Sequence, residues 1–338
     1  GDLLQADLPP DVDELAERGR RQKRQKLWQS FINPMSIRIP LWDPDNFLNR
    51  SWPLVRRLFG PLGLGLWLLV VLPALLLAGL HWQELTANLS DQVLATRNLL
   101  LLWLVYPLIK ALHELGHAYA VKSGEGEVHE MGIMLLVLAP IPYVDASAAG
   151  AFRGKWNRAL VGAAGILVEL FLAGVAMFVW VLVEPGLVRS IAFNVLLVAG
   201  ASTLLFNGNP LLRYDGYYVL ADLVEIANLG NRSNQYWQWL AKRYLFGLKS
   251  VDRPLASVGE RRWFVCYGAA SFLYRSFVMI AITVFIAGEF FFIGVVLAIW
   301  AAITMFVLPI AKALSYVLTS AELQRARTRA RLVTVGSL

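Results

Sequence analysis

His113-Glu114-Leu115-Gly116-His117 sets two imidazoles four residues apart with a carboxylate between them. On an α-helix, positions i and i+4 share a face, so both rings can reach one zinc ion. Glu114 can then act as general base toward a water that the metal activates. The motif sits in an apolar run at membrane depth, where water, metal and ionisable groups are all costly. The bland alternative is two histidines satisfied by neighbours along the helix. A catalytic zinc takes three protein ligands and keeps a fourth position open, so a third ligand is expected where a chain break can aim it at this helix. Asn209-Pro210-Leu211-Leu212-Arg213-Tyr214-Asp215-Gly216 offers one. Asp215 is an oxygen donor on a Pro-broken, Gly-flanked turn. Alone, an Asp before Gly reads as a cap for the segment that follows; beside an intramembrane H-E-x-x-H, the ligand reading is the better one.

The elements that must position these residues are membrane helices. The 338 residues are 57% hydrophobic and only 16% charged, with a mean hydropathy of +0.54, which excludes an ordinary soluble domain. The pattern predicts an all-α polytopic membrane protein with six spans, near 61–81, 97–122, 158–183, 188–208, 263–286 and 290–317, since each needs roughly 17–25 mostly apolar residues. The single cysteine, Cys266, rules out a disulfide framework and a cysteine-based zinc site. The four histidines are too few for the His-rich boxes of membrane desaturases. Lys and Arg, 31 against 24 acidic residues, point to basic cytoplasmic loops facing anionic lipid rather than to nucleic acid. Loops after spans 1, 3 and 5 hold Glu84, Asp91, Glu184 and Glu289 and no Lys, whereas the opposite side receives Arg56, Arg57, Lys122, Arg153, Lys155, Arg213 and others. The positive-inside rule therefore puts both termini, and the H-E-x-x-H end of span 2, at the cytoplasmic face.

Two segments interrupt the helical pattern. Residues 131–144 are apolar but short and carry Pro140 and Pro142, which suits a hairpin or re-entrant insert. Asn207-Gly208-Asn209-Pro210 ends span 4 abruptly and makes a broken segment that carries the third ligand. Irregular backbone at that depth is tolerated where it is buried in protein or lines a wet cavity. The chain is thus read as an N-terminal cytoplasmic or interfacial segment (1–55), a membrane-embedded metalloprotease-like domain (56–320) and a basic cytoplasmic tail (321–338) with Arg325, Arg327, Arg329 and Arg331. Residues 18–26 carry six basic side chains and are expected against the cytoplasmic leaflet. The opening Gly1-Asp2, without methionine, implies that the natural start is missing or replaced.

H-E-x-x-H late in one span, followed by N-P-x-x-x-x-D-G after a later one, resembles the site-2 protease family of intramembrane zinc metalloproteases. Ala164-Gly165-Ile166-Leu167-Val168-Glu169 is similar to that family's A-G-P-x-x-N segment, with Ile166 for Pro and Glu169 for Asn. The run Ile141-Pro142-Tyr143-Val144-Asp145-Ala146-Ser147-Ala148-Ala149 and the phrase from Asn207 to Tyr218 look like its bacterial branch of peptide zinc metalloproteases. The resemblance covers about residues 40–320. It implies Zn2+ held by His113, His117 and Asp215, Glu114 as the base, and Asn209 positioning the substrate strand or the oxyanion. It further implies a peptide or transmembrane-protein substrate, a bacterial inner-membrane location, and a periplasmic adaptor or export partner.

Glu169 departs from the family pattern. Three roles stay open: a proton carrier, the partner of an intramembrane cation (Arg275 first, Lys110 second), or a modifier of the metal site. Asp145 reads equally as a substrate-loop residue and as a turn cap, His129 as a surface histidine, and Trp237 and Trp239 as interfacial anchors. Two other functions compete with a peptidase. One is a membrane subunit of a peptide secretion or efflux assembly, its metal site structural or cargo-processing. The other, a transporter with an incidental motif, is weak because no inverted repeat is visible.

Overall fold

In the computed structural model, residues 36–87, 89–136, 139–245 and 252–308 are described, with positions 311 and 315. Residues 18–26, the tail arginines and most of the sixth expected span past Val307 lie outside the described residues. The chain divides into two compact units, Gly1–Thr203 and Leu204–Leu338.

In the first unit, α1 (Asp45–Val55) leads to α2 (Pro61–Leu80). Proline at the first helical position lacks only an N–H that would be unsatisfied there anyway. The rest of α2 is apolar all round, and Leu69, Leu76 and Leu80 are at least 71% exposed, a surface suited to lipid rather than water. After two short turns comes α3 (Thr96–Ser123), which carries the H-E-x-x-H. It packs most extensively on α4 (Lys155–Leu182). Small residues along α4, among them Ala159, Ala164, Gly165 and Ala173, are buried and let neighbouring backbones approach. α5 (Leu187–Val195) continues as a wider π-helix from Leu196 to Asn207, and the helical run stops where Gly208, Asn209 and Pro210 follow.

The insert at 131–144 is a hairpin of β2 (Met131–Leu136) and β3 (Ala139–Val144). A third strand, β1 (Ser36–Trp42), pairs antiparallel with β2, Ile37 opposite Leu135 and Ile39 opposite Ile133. This strand lies in a segment read from sequence only as polar and interfacial. Its signal was the alternation of Ile37, Ile39 and Leu41, obscured by Pro40. Pro40 falls where the register shifts, at the sheet edge that tolerates proline.

In the second unit, α6 (Asp215–Leu223), α7 (Leu229–Leu240) and α8 (Val258–Glu289) surround Tyr217, Leu229, Tyr236, Trp239, Phe264 and Tyr267. α8 opens on a capping box, Ser257 and Glu260 each bonding the other's backbone N–H. Trp239 is thus a core residue rather than the anchor expected, stacked near Tyr236 and under Arg253. Trp237 is 41% exposed and donates to the Val265 carbonyl. α9 (Phe291–Ala302) begins the last apolar stretch.

Among the described residues, five helices are long and apolar enough to cross a membrane: α2, α3, α4, the run Leu187–Asn207, and α8. The protein is a multi-pass, almost entirely helical membrane protein with a short strand insert and a broken segment bearing Asp215.

Candidate metal centre

Lys110, His113, Glu114 and His117 fall on one face of α3, because they repeat at three and four residues. Pro107 precedes them by one turn and removes one ladder hydrogen bond. Lys110, His113 and His117 are buried. Gly116, between the histidines, meets α4 so closely that a Cβ would stand 2.9 Å from a Val168 methyl and 3.1 Å from the Ala164 carbonyl oxygen.

The orientation of each imidazole is set by α4. His117 Nδ1 lies 2.6 Å from the Val161 carbonyl oxygen. Only a protonated Nδ1 can use that acceptor, so the lone pair is left on Nε2. His113 Nδ1 lies 3.1 Å from Glu169 Oε1, within ion-pair distance though off the line of a linear hydrogen bond. The His113 ring rests against Gly165, whose absent Cβ would otherwise fall 2.4 Å from Cε1. The rings meet nearly edge to face, 4.7 Å between centroids at 74°, and the two Nε2 atoms are 3.0 Å apart.

That spacing fits a metal. Two ligands on a tetrahedral zinc with bonds of ~2.0–2.1 Å are separated by ~3.3 Å. The donors of His113, His117 and Asp215 all lie within 4.8 Å of one another, both histidines buried and Asp215 half-buried. Two nitrogens and one carboxylate oxygen are the donor set of a zinc site that keeps a position open for catalysis. The His-His-Asp cluster supports a zinc-binding site, and it is consistent with the active site of a zinc metalloendopeptidase.

Glu169 is fully buried. Lys110 Nζ is 2.6 Å from its Oε1, and Thr203 donates a short hydrogen bond to Oε2. The expected pairing with Arg275 gives way to Lys110, which shares a helix face with His113; Arg275 Nε bonds the Ser271 carbonyl of its own helix. Asn209 Oδ1 accepts from Leu211 N–H at 2.9 Å and shapes the turn ahead of Asp215. Asp145 likewise caps a turn, accepting from Ser147 N–H. His129 is exposed, 3.2 Å from Glu127 and 3.3 Å from Asp43, and these two carboxylates, Glu127 first, raise its pKa. The Val161 carbonyl and Thr203 were not legible as site residues: a backbone oxygen has no sequence signature, and a lone threonine in an apolar span reads as filler.

Outside the spans, Asp45 braces the site's helix. It holds Lys122, at the end of α3, at 2.5 Å and accepts from Val128 N–H at 3.1 Å.

The chain matches no protein-family model, no curated protein and no solved structure. A His-His-Asp cluster with both histidines buried, in a polytopic helical protein, nevertheless matches the structural signature of intramembrane zinc-metalloprotease active sites, and it supports zinc-dependent intramembrane proteolysis.

Proposed function

We propose that this chain is a zinc metalloendopeptidase of the site-2 protease type, in a bacterial inner membrane, cutting a peptide bond near the cytoplasmic face. The observation that carries the reading is the cluster of His113, His117 and Asp215, within 4.8 Å in a chain with five membrane-length helices. His113, His117 and Asp215 would hold the zinc. When bound, the metal polarises the scissile carbonyl and lowers the pKa of a water toward ~7. Glu114, on the same α3 face as both histidines, would accept a proton from the attacking water and deliver it to the amine nitrogen as the peptide C–N bond breaks. Asn209, with Oδ1 engaged by Leu211 N–H, keeps its amide N–H groups as donors for a substrate carbonyl or oxyanion. The basic loops support a cytoplasmic placement of this end of α3 and of both termini. The substrate is a peptide or an unwound transmembrane segment, since a helix hides its carbonyls from attack. A periplasmic export partner rests on the family resemblance, and co-purification tests it.

Glu114→Gln decides the reading. The variant should keep about one zinc per chain, as its three ligands are intact, while cleavage falls by about 10²–10⁴-fold, the usual worth of a general base. Undiminished cleavage would sink it.

A further inference from the structure

We infer that Glu169 is the positioning residue for His113, held in place by Lys110 and Thr203, and that this buried group tunes the metal site rather than merely neutralising a membrane charge. The inference rests on the metal-centre reading above.

A carboxylate with no exposure, in the middle of a membrane helix, persists only where donors saturate it. Glu169 has them in Lys110 Nζ at 2.6 Å on Oε1 and the Thr203 hydroxyl on Oε2, and His113 Nδ1 lies beside the same Oε1 at 3.1 Å, in ion-pair contact though off the hydrogen-bond line. A simple ion pair would need Lys110 alone. The shared oxygen brings in His113, and the same face of α4 is cut away for that ring one turn earlier, at Gly165. A histidine that binds metal through Nε2 must carry its proton on Nδ1, and an acceptor beside Nδ1 fixes both tautomer and ring. His117 has the Val161 carbonyl for that task; Glu169 stands in the equivalent place for His113. The two acceptors differ, because a carboxylate raises the donor strength of its histidine more than a carbonyl does. Lys110 makes the arrangement tolerable, since Glu169 and Lys110 together add no net charge beside a dication and Asp215. Thr203 reaches Oε2 from the π-helical stretch Leu196–Asn207, where the wider winding departs from the α-helical register of its neighbours.

The test uses the full chain purified in detergent. Zinc affinity is measured by competition with a chelator, and the Co2+-loaded protein by its ligand-field absorption. Glu169→Gln should bind zinc about 10–100-fold more weakly and, when saturated with Co2+, show a shifted spectrum. Lys110→Met combined with Glu169→Gln removes both charges; it should stay weak, because the acceptor for His113 is still altered. Return of the double variant to wild-type affinity would reduce Glu169 to a counter-ion and overturn the inference. So would a Glu169→Gln protein with unchanged affinity and an unchanged spectrum, whatever its thermal stability. Should Glu169→Gln not fold, Thr203→Val decides. It is close in shape and removes only the Oε2 donor; several-fold weaker zinc binding is expected, and wild-type binding overturns the inference. His113→Ala separates the two levels: wild-type zinc binding there fails the metal reading itself, whereas loss there with no effect at Glu169 fails only this inference.

Discussion

Gly165 leaves its side-chain volume to His113: a Cβ on Gly165 would stand 2.4 Å from Cε1, 2.5 Å from Nε2 and 2.6 Å from Nδ1 of the imidazole. Real carbon contacts are near 3.5–4.0 Å, so any side chain at 165 must push the ring aside. The small residue in α4 is therefore part of how α3 presents its first histidine.

Gly165→Ala should weaken zinc binding at least about tenfold without touching a ligand, because the whole ring must shift by an ångström or more while a metal site tolerates only about 0.5 Å. Competition with a chelator measures it. An unchanged affinity would mean that the ring does not rest on Gly165 in the working protein.

Zinc should also stabilise the fold. The His113 and His117 Nε2 atoms face one another at 3.0 Å, an arrangement that a shared cation satisfies better than two neutral rings do. At free zinc 100-fold above its dissociation constant, the folded state should gain about 2.7 kcal/mol. Thermal unfolding with zinc and with chelator reads this, and in His117→Ala the two curves should coincide. A persistent zinc shift in that variant would point to binding elsewhere.

The contact between α3 and α4 carries a prediction independent of metal. Gly116→Ala places a Cβ 3.1 Å from the Ala164 carbonyl oxygen, a backbone atom that cannot swing away. Overpacking of this kind costs about 1–3 kcal/mol. Gly65→Ala in α2 has nothing within 4 Å of the added carbon and serves as the control, expected neutral or stabilising. Equal stability of the two variants would refute the close approach of the helices.

The ligand set was legible because each part has a local signature: i, i+4 imidazoles on one helix face, and an acid after an Asn-Pro break. Five of the six expected spans were legible because composition fixes them; the expected sixth, 290–317, is described only in part. What surrounds the ligands was not. Glu169 announced itself as an anomaly, but its partner is settled by which helix faces α4, and Lys110 prevailed over Arg275 through tertiary placement alone. The strand Ser36–Trp42 pairs with residues nearly a hundred positions later, and such non-local pairing leaves only a short alternation in the sequence. The proton-fixing acceptor of His117 is a main-chain carbonyl, which no residue type encodes.

The brace between α1 and the end of α3 predicts a defined acid sensitivity. Burial pushes the Asp45 carboxyl up, but Lys122, the Val128 N–H and Asn49 outweigh it and hold the pKa below the usual carboxylate value. A depressed folded pKa means that the stabilisation is fully present above the unfolded value, near ~3.9, and is lost as pH falls through the lower folded value. The interaction is mostly shielded, the Asp45 side chain being 14% exposed, so it should contribute about 1.5 kcal/mol, the low end for hydrogen bonds to charged groups. Asp45→Asn should therefore be less stable than wild type by that amount at neutral pH, and the gap should begin to narrow below the unfolded value of ~3.9 and close only once the pH falls beneath the lower folded value. Because Lys122 lies five residues beyond His117 on α3, the variant should also bind zinc less tightly at neutral pH, by a few-fold at most. A stability gap that stays constant from neutral to acid pH would show that the Asp45 charge is not what ties α1 to α3.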